Sequence, residues 1–171
     1  MRVVLMGNPN VGKSVIFNRL TGVKVVISNY PGTTIEYMEG KMKVQDISLK
    51  IVDAPGTYSL APSDKAEKVA FNLLLKKQTD LVVNVVDATN LERNFYLTLQ
   101  LRDINIPMIL DLNMRDVARH QGIEIDTCVL EKLLELPVVS TVAVSGEGII
   151  ELHRAIKEIT FKIKDKDVSR I

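Results

Sequence analysis

Residues 7–14 read Gly-Asn-Pro-Asn-Val-Gly-Lys-Ser and match the pattern G-x-x-x-x-G-K-[ST] of a phosphate-binding loop. The apolar run Arg2–Met6 before it predicts a short buried strand, and Ser14–Thr21 after it has the spacing of a helix that ends at Gly22. Glycines let backbone N–H groups curl around a phosphate, and the following helix points its positive end at the anion. A glycine turn that only joins a strand to a helix is the alternative. The order of strand, loop and helix favours a nucleoside triphosphate site.

The polar residues of this loop have distinct expected roles. Lys13 supplies a positive charge to the outer phosphates, and Ser14 offers a hydroxyl to a Mg²⁺ ion that bridges two phosphate oxygens. The predicted binding set at this loop is Gly7, Asn8, Pro9, Asn10, Val11, Gly12, Lys13, Ser14 and Val15. The loop predicts a triphosphate but does not indicate which base.

Short β-rich runs alternate with amphipathic stretches along the rest of the chain. Further strands are predicted at Lys41–Val44, Ile47–Val52, Leu81–Val86, Pro107–Leu112 and Val138–Val144. The segment between Gly22 and Gly40 has no clear periodicity and is predicted as a loop. The alternation indicates an α/β fold with a mostly parallel six-stranded sheet, one antiparallel edge strand and flanking helices. Ligands of such sheets bind at the carboxyl ends of the strands.

Length and composition limit the classes of function. The chain has 171 residues, 46% of them hydrophobic, which predicts one folded domain and excludes a disordered or low-complexity protein. We expect the domain to cover residues 1–163, with residues 164–171 as a polar tail or the start of a linker. A net charge of +1 argues against a nucleic-acid partner, and one cysteine excludes an internal disulfide. No apolar run approaches the ~20 residues of a membrane-spanning helix, so this piece is expected to be soluble.

A guanine-reading loop is predicted after the strand Pro107–Leu112. An aspartate at position 116 can accept two hydrogen bonds from guanine, at N1–H and the 2-amino group, and adenine offers neither donor. Asn113 would hold the loop in place. N-x-x-D alone is a weak pattern that helix capping also explains, and its position after a strand carries the prediction. The expected base-binding set is Asn113, Met114, Asp116 and Val117, with the backbone N–H groups of Thr141, Val142 and Ala143, unless those three residues are simply the end of a strand.

Two further segments are candidates for contact with the γ-phosphate. Asp53, in the sequence Asp-Ala-Pro-Gly, can hold Mg²⁺ through water, while Pro55 borders the site and Gly56 can offer an N–H to the phosphate; the alternative is a plain turn. In the aperiodic segment, Thr34 or its neighbour Thr33 would donate a hydroxyl to Mg²⁺, and we favour Thr34. The alternative there is a surface loop with a Pro-Gly turn.

Five stretches together resemble the G domain of the ferrous iron transport protein B family, within the TRAFAC class of GTP-binding domains. They are GNPNVGKS (7–14), NYPGTT (29–34), DAPGTYSL (53–60), VVNVVDATNLERNFYLTLQL (82–101) and LNMRD (112–116). The resemblance implies a P-loop GTPase fold. It also implies a regulatory domain that binds GTP and hydrolyses it slowly to GDP, and whose switch loops signal the nucleotide state. It also implies an attached helical spacer and an Fe²⁺-carrying membrane part, at the cytoplasmic face of a prokaryotic inner membrane, and leaves room for a homo-oligomer of the full-length protein.

The resemblance also concerns single residues. Related potassium-activated GTPases have an asparagine where Asn10 stands, which implies K⁺ binding beside the phosphates; a residue that only shapes the loop is the alternative. Thr57 occupies the place where Ras-like switches have glutamine, so no catalytic base is assigned, and Thr57 and Gly56 remain only candidates near the γ-phosphate. Met114 replaces the lysine that many GTPases have, and its apolar stem can cover the base.

Two other functions fit parts of the sequence. One alternative is a related potassium-activated GTPase of ribosome or tRNA modification and assembly. The low net charge and the absence of a basic run argue against it, unless a second domain carries the RNA contacts. An ATP-dependent P-loop enzyme would share the phosphate loop, but Asp116 argues against that function. Asp111 is a carboxylate inside an apolar strand, where it either pairs with a neighbour or lies at an edge.

Overall fold

The computed structural model describes residues 1–22, 25–75 and 79–168, and these form a central sheet with helices on both faces. The strands are β1 (Arg2–Met6), β2 (Val25–Asn29), β3 (Glu36–Val44), β4 (Ile47–Asp53), β5 (Leu81–Asp87), β6 (Met108–Asn113) and β7 (Val138–Ser140). The helices are α1 (Lys13–Thr21), α2 (Lys65–Leu75), α3 (Leu91–Arg102), α4 (Arg115–His120), α5 (Thr127–Leu134) and α6 (Ile149–Val168).

The sheet has the strand order β2-β3-β4-β1-β5-β6-β7. The five strands from β4 to β7 in that order are parallel. Strand β3 runs antiparallel to β4, and β2 runs antiparallel to β3, so β2 has the direction of the parallel strands. The expected antiparallel strand is therefore present as β3, but it does not lie at the edge of the sheet. The α/β class and the parallel core are therefore confirmed. Because the carboxyl ends of parallel strands meet at one edge, the segments that follow β1, β4, β6 and β7 come together there.

The sheet has seven strands in the described residues, so the expected number of six is wrong. The additional strand, β2, lies in the segment that the sequence predicts as a loop. It pairs only with β3, at the edge of the sheet, and Val26 and Ile27 are 61% and 64% exposed. An edge strand that is mostly exposed needs no alternation of apolar and polar residues, and for that reason β2 shows no periodic signal in the sequence.

Two helix and strand ends differ from expectation. Strand β7 ends at Ser140 rather than Val144, because the chain turns there and the Val142 N–H donates to the Glu147 carbonyl. Helix α6 continues to Val168, so the predicted domain boundary at residue 163 lies inside a helix. Residues 169–171 of the predicted tail lie outside the described residues.

Each face of the sheet has its own apolar core. One core includes Phe17 of α1 with Leu152 and Ile156 of α6, and the other packs α2 and α3 against the opposite face. Both cores consist largely of side chains from the parallel strands, which are buried on both faces, as their near-continuous Val, Ile and Leu runs predict. This rigid sheet holds the loops at its carboxyl edge in fixed relation to one another.

Candidate nucleotide-binding site

The loop between β1 and α1 has the backbone conformation that its glycines permit. Gly12 has φ 90°, which side-chain-bearing residues rarely adopt, and a Cβ at Gly12 would overlap the amide nitrogen of Asn113. Asn10 also has a positive φ, 66°, and its side chain is exposed, with no hydrogen-bond partner among the described residues. The phosphate loop therefore leads directly into α1, with Asn10 at its outer rim.

The charged and hydroxyl groups predicted to meet the phosphates lie together. The Ser14 hydroxyl donates to Asp53 Oδ2 at 2.6 Å, which joins the start of α1 to the end of β4. Burial lowers the pKa of Lys13, and the charge of Asp53 opposes that effect. Burial raises the pKa of Asp53, opposed by the Ser14 hydrogen bond and by Lys13. A buried ammonium beside a buried carboxylate provides positive charge for phosphate at a point where water is largely excluded.

Asp53 also has a carboxylate oxygen that is available to accept from a water molecule of a magnesium shell. Its Oδ1 is buried and has no hydrogen-bond partner among the described residues. A carboxylate oxygen and a serine hydroxyl are hard oxygen donors of the kind that Mg²⁺ prefers, usually with several waters retained. Ser14 and Asp53 therefore fit the metal that the sequence predicts.

The segment after Asp53 packs against the phosphate loop. A Cβ at Gly56 would lie 2.9 Å from the Pro9 Cα, so only glycine fits at this contact. The Thr57 N–H donates to the Gly7 carbonyl at 3.1 Å. The Thr57 side chain is 1% exposed, and its hydroxyl lies 2.6 Å from the Ser59 carbonyl and 3.1 Å from Glu67 Oε1. In this conformation the Thr57 hydroxyl therefore anchors its own loop.

Glu67 is a residue whose role sequence reasoning missed. Its spacing from Asp64 predicts a capping box, and half of it forms, because Asp64 accepts from the Glu67 N–H at 2.8 Å. The Glu67 carboxylate instead accepts from the N–H and hydroxyl of Ser63 (2.8 and 2.7 Å) and from the Tyr58 N–H (3.0 Å). These bonds, first those from Ser63, lower its pKa to about 2. Glu67 thus fixes residues 57–63 to α2.

Helix α3 holds the same segment from the other side. Gln100 Oε1 accepts from the Leu60 N–H at 2.7 Å and from the Ser59 hydroxyl at 3.2 Å. The Arg93 guanidinium lies 4.5 Å from the centre of the Tyr58 ring. The segment 57–60 is therefore connected to α2 and α3, and a displacement of the segment would break contacts to both helices.

The structure does not bring the two candidate threonines to Ser14 and Asp53. The Thr33 hydroxyl donates to the Tyr30 carbonyl at 3.0 Å and accepts from the Ile35 N–H at 3.2 Å, which closes a local turn. Thr34 is exposed and lines a cavity of about 720 Å³ against α2, whose other walls include Lys65 and Lys68. Thr34 has no hydrogen bond to the magnesium candidates in the described residues, so its predicted role requires this segment to move.

On the base side, Asn113 joins three loops. Its Nδ2 donates to the Val11 carbonyl at 2.9 Å, and its Oδ1 accepts from the Ala143 N–H at 2.9 Å. Met114 follows with φ 63° and begins α4, which places Asp116 in the first turn of that helix, half-buried, and Val117 exposed beside it. Asn113 therefore holds the predicted base reader at a fixed position beside the phosphate loop.

The backbone N–H groups of the segment Thr141–Ala143, which are predicted to contact the base, are bonded within the protein. All three backbone N–H groups are already bonded: that of Thr141 to the Leu112 carbonyl, that of Val142 to the Glu147 carbonyl and that of Ala143 to Asn113. Of the three, the Ala143 N–H holds Asn113, and none is free for a base in this conformation. Arg19 of α1, which no sequence signal indicated, binds the carbonyls of Ala143 (3.0 Å) and Val144.

Asp111 is fully buried in β6, between β5 and β7, so the alternative of an edge position is wrong. It pairs with a neighbour, because the Thr141 hydroxyl donates to its Oδ1 at 2.7 Å. Burial raises its pKa to about 7, and the Thr141 bond opposes the rise. Through Thr141, the carboxylate of Asp111 contacts one of the loops that are predicted to bind the base.

Comparisons with known proteins agree with this geometry. The family model described as ferrous iron transport protein B matches residues 1–156. The Fe(2+) transporter FeoB of Salmonella typhimurium is 44% identical over 160 residues, which are 91% of this chain and 21% of that protein. The chain belongs to the FeoB family. It spans about a fifth of the length of the curated FeoB relatives that it matches.

Solved structures identify the part of FeoB concerned. The G domain of T. maritima FeoB is 41% identical, has a TM-score of 0.87, and the match covers 94% of this chain and 98% of that one. S. thermophilus NFeoB, in a variant bound to GDP, is 43% identical with a TM-score of 0.85, over 91% of this chain and 61% of that one. This chain therefore has the fold of the FeoB G domain. Within the described residues, no helix combines the length and hydropathy needed to cross a bilayer.

The family-specific stretch 82–101 has a structural explanation. The Asn84 amide donates to the Thr98 hydroxyl at 2.6 Å inside the core, which ties β5 to α3. Asn94 is buried and donates to the Asn90 carbonyl at 2.7 Å, at the start of the same helix. These polar side chains fix the helix whose Gln100 and Arg93 contact residues 58–60. The stretch that carries the resemblance thus supports the FeoB fold behind the site rather than the nucleotide itself.

Proposed function

We propose that this FeoB G domain binds guanine nucleotides and slowly hydrolyses GTP to GDP and phosphate. The observation that carries the proposal is the position of Asn113, which bonds to Val11 in the phosphate loop while Asp116 follows in the first turn of α4. A triphosphate held at the phosphate loop would therefore present its base to Asp116, and a carboxylate there accepts from guanine but finds no donor on adenine.

Two cations fit the site. Ser14 and Asp53 would hold Mg²⁺, with Thr34 added when its segment closes over the phosphates, and the ion would neutralise charge between the phosphate oxygens. The exposed amide of Asn10 would face a K⁺ beside the phosphates. The residues of this chain supply positioning: Lys13 offers its charge, and Gly56 offers an N–H toward the γ-phosphate. We assign no general base, because the Thr57 hydroxyl is bonded to Ser59 and Glu67.

We further propose that the domain regulates an Fe²⁺ transporter. The relatives that carry this domain are named Fe(2+) transporters, and the chain covers only 21% of such a protein. Segment 57–60, which is attached to α2 and α3, and the segment around Thr34 would report the nucleotide state to an attached helical spacer and membrane part at the cytoplasmic face. The transporter connection predicts no nucleic-acid partner, and it allows a homo-oligomer of the full-length protein.

Nucleotide competition tests the central proposal. A fluorescent GDP analogue bound in Mg²⁺ buffer should be displaced by GDP and GTP and not by ADP or ATP. Displacement by ADP at a similar concentration would overturn the assignment of Asp116. Phosphate release from GTP should be measured in K⁺ and in Na⁺ at equal ionic strength, and faster release in K⁺ supports the role of Asn10.

A further inference from the structure

A buried carboxylate lies behind the base-binding loops without any part in the proposed chemistry. Asp111 is 0% exposed in β6, between Val85 of β5 and Val139 of β7. Side chains alternate along a strand, so Asp111 shares a face with Asn113, two residues further on. Its Oδ1 accepts from Thr141, and its Oδ2 has no hydrogen-bond partner among the described residues. Burial of a half-satisfied carboxylate is costly, and an apolar residue would serve the sheet better.

The Thr141 hydroxyl stands between two acceptors. It lies 2.7 Å from Asp111 Oδ1 and 3.3 Å from Asn113 Oδ1. A hydroxyl has one hydrogen and two lone pairs, so it can donate to only one of these oxygens at a time. Which oxygen receives the hydrogen depends on whether Asp111 itself carries a proton. Asn113 Oδ1 already accepts from the Ala143 N–H, and a second donor would hold it more firmly.

No ion pair in the described residues involves Asp111, and its hydrogen bond comes from the neutral hydroxyl of Thr141. The elements packed against β6 bring apolar side chains to it, namely Val85 and Val139 from the neighbouring strands and Leu152 and Ile156 from α6. The charged or titratable groups on the nearest parts of the surrounding elements include Asp87, Arg115, Glu147, Glu151, His153, Arg154, Lys157, Glu158, Lys13 and Arg19. Asp87 accepts from Thr89, and Arg19 binds Ala143 and Val144. One nitrogen of Arg115 donates to the Ile125 carbonyl, while two others are buried without a partner in the described residues. Lys13 is buried beside Asp53. The raised pKa of Asp111, about 7, has burial as its main cause.

We propose that Asp111 is a positioning residue that couples its own protonation to the grip of the base-binding loops on a guanine nucleotide. When Asp111 is ionised, its carboxylate accepts the hydrogen bond of the Thr141 hydroxyl. Protonated Asp111 donates to Thr141 Oγ1, and Thr141 then turns its hydrogen to Asn113 Oδ1. Asn113 thereby gains a second donor and holds the Val11 carbonyl and the base reader more firmly. The inference rests on the proposed guanine-nucleotide binding and adds its regulation by pH.

The test is the dissociation rate of a fluorescent GDP analogue between pH 6 and pH 8.5. One hydrogen bond gained or lost corresponds to a change of roughly two- to tenfold, so the wild-type chain should release the analogue slower by that factor at pH 6. Asp111→Asn keeps the shape and cannot titrate, so its release rate should not change with pH. Thr141→Val removes the hydroxyl that lies between Asp111 and Asn113. This variant should release the analogue fast and equally at every pH.

Controls separate this device from other titrations and from misfolding. The sequence has two histidines, His120 and His153, and their Gln variants should keep the wild-type pH dependence. The carboxyl carbon resonance of Asp111 in the wild-type protein should titrate near neutral pH, which tests the proposal even where a variant fails to fold. Persistence of the wild-type pH dependence in Asp111→Asn, or a flat wild-type profile, overturns the inference alone. Absence of GDP binding at every pH overturns the proposed function as well.

Discussion

The two halves of the candidate site differ in how they are held. On the base side, Asn113 is 3% exposed and bonds to both the phosphate loop and the segment that follows β7. On the γ-phosphate side, Thr34 is exposed and far enough from Ser14 and Asp53 to share no hydrogen bond with them in the described residues. Under the proposed function, the base reader would be formed before the nucleotide binds, and the phosphate sensor would be completed by the nucleotide. Base specificity and switching would then depend on different segments at the same edge of the sheet.

The base side should carry the largest effect. Asp116→Asn replaces an acceptor by an amide that can donate, so the preference should change from guanine to xanthine nucleotides. A reversal of the GDP-to-XDP affinity ratio by about 10⁴ is expected, because the unpaired polar group of the wrong base is then buried. Competition of each nucleotide against a fluorescent analogue measures it.

Glu124→Gln, an exposed change near the end of α4, is the matched control and should leave the ratio as it is. A variant at Asp116 that still prefers GDP would show that the base is recognised elsewhere. The base side described above would then not determine nucleotide specificity.

The outer rim of the phosphate loop should give the next largest effect, on rate rather than on affinity. Asn10→Ala removes the exposed amide that would face K⁺. Loss of one well-placed stabilising group at a transition state costs roughly 10²-fold, so K⁺-stimulated GTP hydrolysis should fall to the rate in Na⁺. GDP affinity should stay nearly unchanged. Phosphate release in the two salts, with Asn18→Ala on the exposed side of α1 as the control, distinguishes this from a loss of fold. Stimulation that survives the substitution removes Asn10 from the cation site.

Sequence reasoning reached the local parts of this site and missed the distant ones. The phosphate loop, Asp53 and Asn113 each stand at the end of a predicted strand, and motif and strand order together predicted their common edge. The link from Arg19 to Ala143 joins residues 124 positions apart, and the pair of Asp111 and Thr141 is decided by which strands are neighbours. Such contacts depend on tertiary packing, and no spacing along the chain encodes them.

Sequence reasoning missed strand β2 and the role of the Glu67 carboxylate for two different reasons. Strand β2 is exposed, so no burial pattern marked it, whereas Glu67 has the spacing of a capping residue and uses its carboxylate elsewhere. A local signal states what a residue can do at its own position. Whether a neighbour such as Ser63 or Tyr58 offers a better donor is known only once the chain is folded.

Glu67→Ala should loosen residues 57–63 on the γ-phosphate side and leave the base side unchanged. The variant leaves the N–H groups of Tyr58 and Ser63 without their acceptor, and the free energy of unfolding should fall by about 2 kcal/mol. GDP affinity should change little. Urea unfolding and GDP titration measure the two quantities, and Lys68→Ala on the exposed face of α2 is the control. An equal loss of GDP affinity would show that the two halves are not separate.

The same residue predicts a pH dependence. The pKa of Glu67 is lowered from 4.5 to about 2, so its ionised form stabilises the fold above pH 4.5, and this contribution is lost as the pH falls toward 2. The stability difference between the wild-type chain and Glu67→Gln should therefore be largest near neutral pH and shrink in acid. A constant difference from pH 7 to pH 2.5 would contradict the hydrogen bonds that lower the pKa.

The smallest expected effect tests the rigidity of the base side from outside the pocket. Arg19 lies on α1, and its guanidinium binds the carbonyls of Ala143 and Val144 without touching Asn113 or Asp116 itself. Arg19→Ala should free the segment after β7, so GDP should dissociate two- to tenfold faster while the association rate stays the same. Arg19→Lys should restore part of the slow release, since an ammonium can bond to one of the two carbonyls. If release is unchanged in both variants, the base half is held by Asn113 and Thr141 alone, and the rigid unit is smaller than the contacts of Arg19 suggest.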